Sequence, residues 1–212
     1  MKAIRLKMPI YYLEGNIGKG KTTLLTALDA YVKKNNICGI KVVYEPVEIW
    51  QKLGILDKYY SDPKRWGYLF QNMAFITKIM ELQKMDQPDM IYIVERSPMT
   101  DRNCFAELCF ENGSISEMER EVYHYWYNHF ISTIPYSGFI YLESTPEVCM
   151  QHIIKRNRGE ETGIKLEYLE ALHQKHEKWL RNKNEKIMYV PDDYKLENIN
   201  EIVEKLIQFV SI

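Results

Sequence analysis

Gly15-Asn16-Ile17-Gly18-Lys19-Gly20-Lys21-Thr22 carries every fixed residue of the pattern G-x-x-x-x-G-K-[ST]. No other feature constrains the fold as much, because the pattern works only where a strand runs into a tight loop that opens a helix. The flanks suit it. Pro9–Leu13 is an apolar run fit for a buried strand, and Thr23–Leu28 begins a helical pattern. Glycines let successive backbone N–H groups curl around a phosphate, and the helix N-terminus adds positive potential. Lys21 reaches the outer phosphates, and the Thr22 hydroxyl suits magnesium. Gly15 through Thr22, with Thr23, are therefore expected to hold a nucleoside triphosphate.

The chain has 212 residues, enough for one sizeable core. Its formal net charge of -1 gives no bulk attraction to nucleic acid or an anionic membrane, so any basic site must be local. The apolar runs are too short to span a bilayer, and the N-terminus shows no secretory or transit pattern. The 4 cysteines, Cys38, Cys104, Cys109 and Cys149, form no C-x-x-C pair and read as free intracellular thiols. A cytoplasmic protein is expected, with no nucleic-acid or membrane partner.

Mostly apolar runs recur at Ile10–Glu14, Ile40–Glu45, Met90–Glu95, Phe139–Glu143 and Ile187–Val190, as in strands covered on both faces. Helical patterns separate them. Pro63–Gln83 carries Trp66, Leu69, Phe70, Met73, Ile76 and Met80 at three- and four-residue spacing, and Pro98, Ser116 and Pro146 mark helix starts. The alternation predicts one α/β domain over residues 1–212 around a five-stranded parallel sheet. Ligands of such sheets bind beyond the C-terminal strand ends, where Glu45, Glu95 and Glu143 are expected.

A switch GTPase would carry N-K-x-D; the nearest string, Asn182-Lys-Asn-Glu185, lies in a polar connector. No L-S-G-G signature of transporter ATPases occurs. More specific strings follow in order: Tyr44-Glu-Pro-Val-Glu-Ile-Trp50, Asp62-Pro-Lys-Arg-Trp66, Phe70-Gln71, Glu95-Arg-Ser97 with Asp101-Arg102, Glu111-Asn-Gly-Ser114, Ser144-Thr-Pro-Glu147 and Gly159–Leu169. With the phosphate loop, and over most of the chain, these resemble the deoxyribonucleoside kinase family. The resemblance implies a P-loop kinase-type three-layer α/β fold with an Arg-rich lid, here at about residues 152–163. It also implies transfer of the γ-phosphoryl group of ATP, or of another nucleoside triphosphate, to the 5′-hydroxyl of a deoxynucleoside, with Mg2+ as cofactor.

Such transfer needs an in-line alcohol, charge neutralisation and a place for the proton. The family places its base at the residue matching Glu45, beside the phosphate loop, and its magnesium carboxylate at Glu95, which would share the ion with Thr22. Arg96 would keep Glu45 ionised or contact the 5′-oxygen. Glu48, one helical turn beyond Glu45, is expected in solvent. Arg156 and Arg158 match lid arginines that would join Lys21 over the transferring phosphate, while His152 stands where a third family arginine falls. Glu161 and Tyr60 match the pair that binds the sugar 3′-hydroxyl. Asp192, Asp193 and Tyr194 fall where the family's adenine-contacting loop lies.

Spacing adds to base recognition. Gln71, Ala74 and Lys78 share one helix face, and Asp101 and Phe105 lie at i and i+4 on another. A glutamine amide matches a donor–acceptor base edge, Phe70 and Phe105 are expected to sandwich the ring, and Trp50 resembles a tryptophan lining that pocket. Asp101 and Lys78 resemble the family's deoxycytidine and purine group, with lysine in place of an arginine, so these deoxynucleosides are expected ahead of thymidine. His173 and His176, at i and i+3, read as a polar helix face instead of a metal site. The Tyr/Trp-rich helix Glu119–Phe130 reads as a packing surface, and a homodimer is expected from the resemblance. Two rivals stay open: a thymidylate-type nucleoside monophosphate kinase and a non-catalytic nucleotide-binding subunit.

Overall fold

A computed structural model describes residues 8–134, 136–192 and 198–211. Five strands, β1 (Ile10–Glu14), β2 (Ile40–Val43), β3 (Ile91–Glu95), β4 (Gly138–Leu142) and β5 (Ile187–Val190), form one sheet in the order β2-β3-β1-β4-β5. All of its pairings are parallel. Strand β2 ends two residues before the expected boundary, leaving Glu45 in the turn ahead of Pro46.

The helices are α1 (Lys21–Lys34), α2 (Val47–Lys52), α3 (Ile55–Ser61), α4 (Pro63–Gln83), α5 (Pro98–Thr100), α6 (Glu107–Glu111), α7 (Glu117–Ile131), α8 (Pro146–Arg156), α9 (Leu166–Arg181) and α10 (Ile199–Val210). A π-helical turn, Asp101–Ala106, joins α5 to α6, and a 3-10 turn, Gly159–Gly163, joins α8 to α9. The predicted starts are real caps. Pro63, Pro98 and Pro146 each open a helix, and Asp62, Ser97 and Thr145 ahead of them accept backbone N–H bonds. Ser116 and Glu119 form a reciprocal capping box at α7.

Strands β1 and β4 are buried throughout, and their alternating side chains build two cores. Tyr11, Leu13, Ile93, Ile140 and Leu142 face one way, onto Leu24, Leu25 and Leu28 of α1 and Val203 and Leu206 of α10. Ile10, Tyr12, Tyr92, Val94, Phe139 and Tyr141 face the other, onto Leu82 of α4 and Leu180 of α9. The result is three layers with β1 at the centre, so the loop leaving β1 is flanked by the ends of β3 and β4.

Candidate active site

The loop after β1 is held by its own residues. Lys21 Nζ donates to the carbonyls of Gly15 at 3.0 Å and Asn16 at 2.7 Å. Asn16 accepts from the Ile17 N–H at 2.9 Å and donates to Leu169 O of α9, also at 2.9 Å. At Gly18 φ is 81°, and a Cβ there would stand 2.4 Å from Cys149 O of α8, so only glycine lets that helix press on the loop. His152 on the same helix donates from Nδ1 to Gly18 O at 2.9 Å. Burial and the charge of Arg96 push the Lys21 ammonium down to about 7, against Glu95 and Glu45. The Thr22 hydroxyl, in the first turn of α1, donates to Glu95 Oε1 at the end of β3, 2.8 Å away.

Glu45 meets two cations, one for each oxygen. Lys78 Nζ lies 2.9 Å from Oε1, and Arg96 Nη1 donates to Oε2 at 3.2 Å. Arg96 Nη2 also donates to Gly15 O at 3.2 Å, which ties this carboxylate to the loop after β1. Burial works to raise the Glu45 pKa, but Lys78 and Arg96 outweigh it and hold the carboxyl at about 2. Lys78 reaches a second carboxylate, Asp101 Oδ1, at 2.5 Å. Burial pushes Asp101 up to about 6 despite Lys78, and the charge of Glu45 pushes the same way. The other oxygen, Asp101 Oδ2, is buried with no hydrogen-bond partner among the described residues.

Around this group stand the walls expected of a pocket. On α4, Phe70, Gln71, Ala74 and Lys78 are all buried. Phe70 stacks on Tyr59 with centroids 4.6 Å apart and meets the edge of Trp50 at 5.5 Å. Trp50 of α2 donates through its indole N–H to Thr77 at 3.0 Å. Phe105 lies under the Arg96 guanidinium, 5.0 Å from ring centroid to Cζ. Gln71 has only a long contact to Cys109 Sγ, 3.8 Å, which leaves most of its amide capacity unused among the described residues. Burial, and then the nearby Glu161, raises the Tyr60 phenol. Glu161 is itself buried and grips Arg156, with Nε at 3.1 Å and Nη2 at 2.6 and 2.5 Å from its oxygens; Arg158 stands 3.6 Å away.

Not every expected residue joins this group. Lys19 pairs with Asp192, which also accepts from the Thr145 N–H at 3.2 Å, so this loop lysine is turned toward the segment after β5. Asp193 and Tyr194 lie outside the described residues. Glu143 is drawn to the surface by Arg181 of α9, 2.5 Å away, and does not join Glu45 and Glu95. Glu48 is exposed, as expected. His176 is not on a polar face: it is fully buried, stacked 6.2 Å from Tyr141 and edge-on to Phe105.

Glu14 escaped the sequence reading. Fully buried at the end of β1, it accepts from the Ser97 N–H at 3.0 Å and from the Thr100 hydroxyl. Its partners follow Arg96 in a turn that sequence spacing does not reveal.

The sequence model of the deoxynucleoside kinase family matches residues 12–211. A probable deoxycytidine kinase of fowlpox virus (strain NVSL) is 38% identical over 183 residues, covering 84% of this chain and 74% of that protein. The deoxycytidine kinase of Homo sapiens is 33% identical over 242 residues, covering 94% and 90%. The mitochondrial deoxyguanosine kinase of Xenopus laevis is 32% identical over 203 residues, covering 84% and 75%.

Proposed function

The chain belongs to the deoxynucleoside kinase family, and from that premise we propose how its residues divide the transfer of a γ-phosphoryl group from ATP to a deoxynucleoside 5′-hydroxyl. The loop Gly15–Thr23 cradles the donor phosphates, with Lys21 on the outer ones. Thr22 and Glu95 would hold Mg2+, with two hard oxygens 2.8 Å apart where α1 begins and β3 ends. Held there, Mg2+ would supply charge neutralisation for the transferring phosphoryl group.

Glu45 is the acceptor of the 5′-proton. A carboxyl held at about 2 stays ionised at neutral pH. It is a weak base, which suits a loose transition state in which the alcohol gives up its proton late. Its main work is to orient the hydroxyl while Arg96 holds it against the phosphate loop. Arg156 and Arg158 close over the transferring group, and Glu161 with Tyr60 takes the sugar 3′-hydroxyl. Trp50, Phe70, Ala74 and Phe105 enclose the base, while Gln71 and Asp101 read its edge.

The unpartnered Asp101 Oδ2 supports a base with an exocyclic amine. A carboxylate accepts from that amine but repels a carbonyl oxygen at the same place. Deoxycytidine or a purine deoxynucleoside is therefore preferred to thymidine, in keeping with the activities named for the relatives. We place the protein in the cytoplasm, in nucleotide salvage; no helix among the described residues is long and apolar enough to cross a membrane. A homodimer is supported by Met118, Val122, Tyr125 and Trp126, an exposed stripe along α7, and by exposed Leu69 and Met80 on α4.

The observation that carries this reading is Glu45 bridged by Arg96 to the Gly15 carbonyl. The test is purified protein with Mg2+ and ATP, offered the four deoxynucleosides and thymidine monophosphate, with its mass taken by light scattering. Deoxycytidine or a purine deoxynucleoside should react fastest, in a dimer. Reaction with the monophosphate alone would overturn the assignment, thymidine preference would overturn the role of Asp101, and a monomer mass would remove the dimer.

A further inference from the structure

Lys78 touches two carboxylates to which different tasks have been given. Its ammonium lies 2.5 Å from Asp101 and 2.9 Å from Glu45, and it is almost wholly buried under the Trp50 ring, 5.8 Å from the centroid. An ammonium is a point charge with rotatable donors and can bridge two anions in this way. Asp101, Lys78, Glu45 and Arg96 thus form a buried chain of alternating sign with no net charge.

We propose that Lys78 is a positioning residue for Glu45, so that the base read by Asp101 sets the rate of the chemical step and not affinity alone. This rests on Glu45 being the group that takes the 5′-proton. A base that donates an amine N–H to Asp101 Oδ2 keeps that carboxylate ionised, and Lys78 stays shared between its two anions. A base that presents a carbonyl there drives Asp101 to take a proton or turn away. Lys78 then falls wholly to Glu45, lowering its proton affinity and pulling Oε1 from the hydroxyl. Discrimination between the two kinds of base is therefore expressed in kcat.

The groups around Glu45 bound what a change at Lys78 can do. Lys78 faces it from α4, Arg96 from the turn after β3, and Lys21 from the phosphate loop. Asp101 faces it from the π-helical turn and Tyr60 from α3. Without Lys78, two carboxylates share Arg96 and distant Lys21, and like charges so placed hold a proton at higher pH. Glu45 would then lose activity on the acid side in a range where the parent protein is unaffected. Removing the charge of Asp101 as well relieves that repulsion.

The experiment follows kcat and KM for deoxycytidine against pH in the parent protein, Lys78→Met, Lys78→Arg, Lys78→Met with Asp101→Asn, and Glu45→Gln, with thermal melts on each. Lys78→Met should lower kcat about tenfold or more, with an acid limb moved upward in pH. Adding Asp101→Asn should return the limb toward the parent position and recover part of kcat, which a purely structural lysine would not permit. Lys78→Arg should retain more of kcat than Lys78→Met. If Lys78→Met does not fold, the double variant against the parent still reads the limb. A Lys78→Met effect confined to KM, or a double variant no better than the single, overturns the proposal. Near-parent kcat in Glu45→Gln overturns the underlying assignment of the base instead.

Discussion

Arg96 is held in a left-handed backbone conformation, φ 57°, that residues with side chains seldom adopt. Such a conformation costs about 1–3 kcal/mol and persists only where neighbours over-determine it. Here its N–H donates to Leu13 O at 3.0 Å, and its guanidinium is bound by Gly15 O and Glu45. Glu14 fastens the following turn through the Ser97 N–H and the Thr100 hydroxyl. Glu14→Ala leaves the Ser97 N–H buried and unpaired, at about 1–3 kcal/mol, while the Thr100 hydroxyl keeps Ser97 Oγ within reach at 3.2 Å. Its urea midpoint should fall, and kcat should fall with it as Arg96 loses its seat, with Glu14→Gln in between because one amide oxygen remains. An unchanged midpoint in Glu14→Ala would show that the clamp is dispensable. The strand–loop–helix around Gly15–Thr22 was legible because the spacing of its glycines fixes that turn. Glu14 was not: a single carboxylate closing an apolar run has no periodic signature, and its partners lie 83 and 86 residues away.

Among the elements, α4 was legible end to end, since Pro63 opens it and apolar residues recur along it to Gln83. The strands were legible as apolar runs to within a residue or two, but the order β2-β3-β1-β4-β5 was not, because no local pattern says which strand a run will join. The π-helical turn was equally hidden. It winds Asp101–Ala106 more widely than the i, i+4 geometry expected for Asp101 and Phe105. In the segment proposed as a lid, backbone geometry brings two of the residues together. Asn157, at φ 51°, ends α8 and turns the chain, so that Glu161 comes back onto Arg156. A 2′,3′-dideoxynucleoside should leave Glu161 and Tyr60 without their sugar partner, and kcat/KM should fall about tenfold for each 1.4 kcal/mol lost. Because Arg156 is tied to the same carboxylate, the loss should appear in kcat as well as KM. Equal efficiency with deoxy and dideoxy substrates would detach Glu161 from the sugar.

At the scale of the whole molecule, His176 joins the layers. It reaches from α9 to stack on Tyr141 of β4 and meets Phe105 of the π-helical turn. Its Nδ1–H donates to Leu172 O at 2.7 Å, while Nε2 is buried without a hydrogen-bond partner among the described residues. Helical spacing to His173 suggested a polar face. It is the packing of α9 against the sheet that turns this position inward. Burial pushes the imidazole down to about 3, and the nearby Arg96 and Lys21 charges add to the effect. The folded protein therefore keeps His176 neutral where the unfolded chain protonates it, below the ordinary value of about 6.5. The sign follows: stability from this residue is full above about pH 6.5 and declines as pH falls toward about 3, by up to about 1.4 kcal/mol per pH unit. His176→Phe removes the titrating group and the unpaired nitrogen while keeping an aromatic ring among aromatic neighbours. Urea unfolding of both proteins from pH 7.5 to 4.5 should give curves of stability that diverge, the parent losing more at each step down, with the variant at least as stable at the acid end. Parallel curves would show that protonation of His176 does not govern the acid limit of the fold.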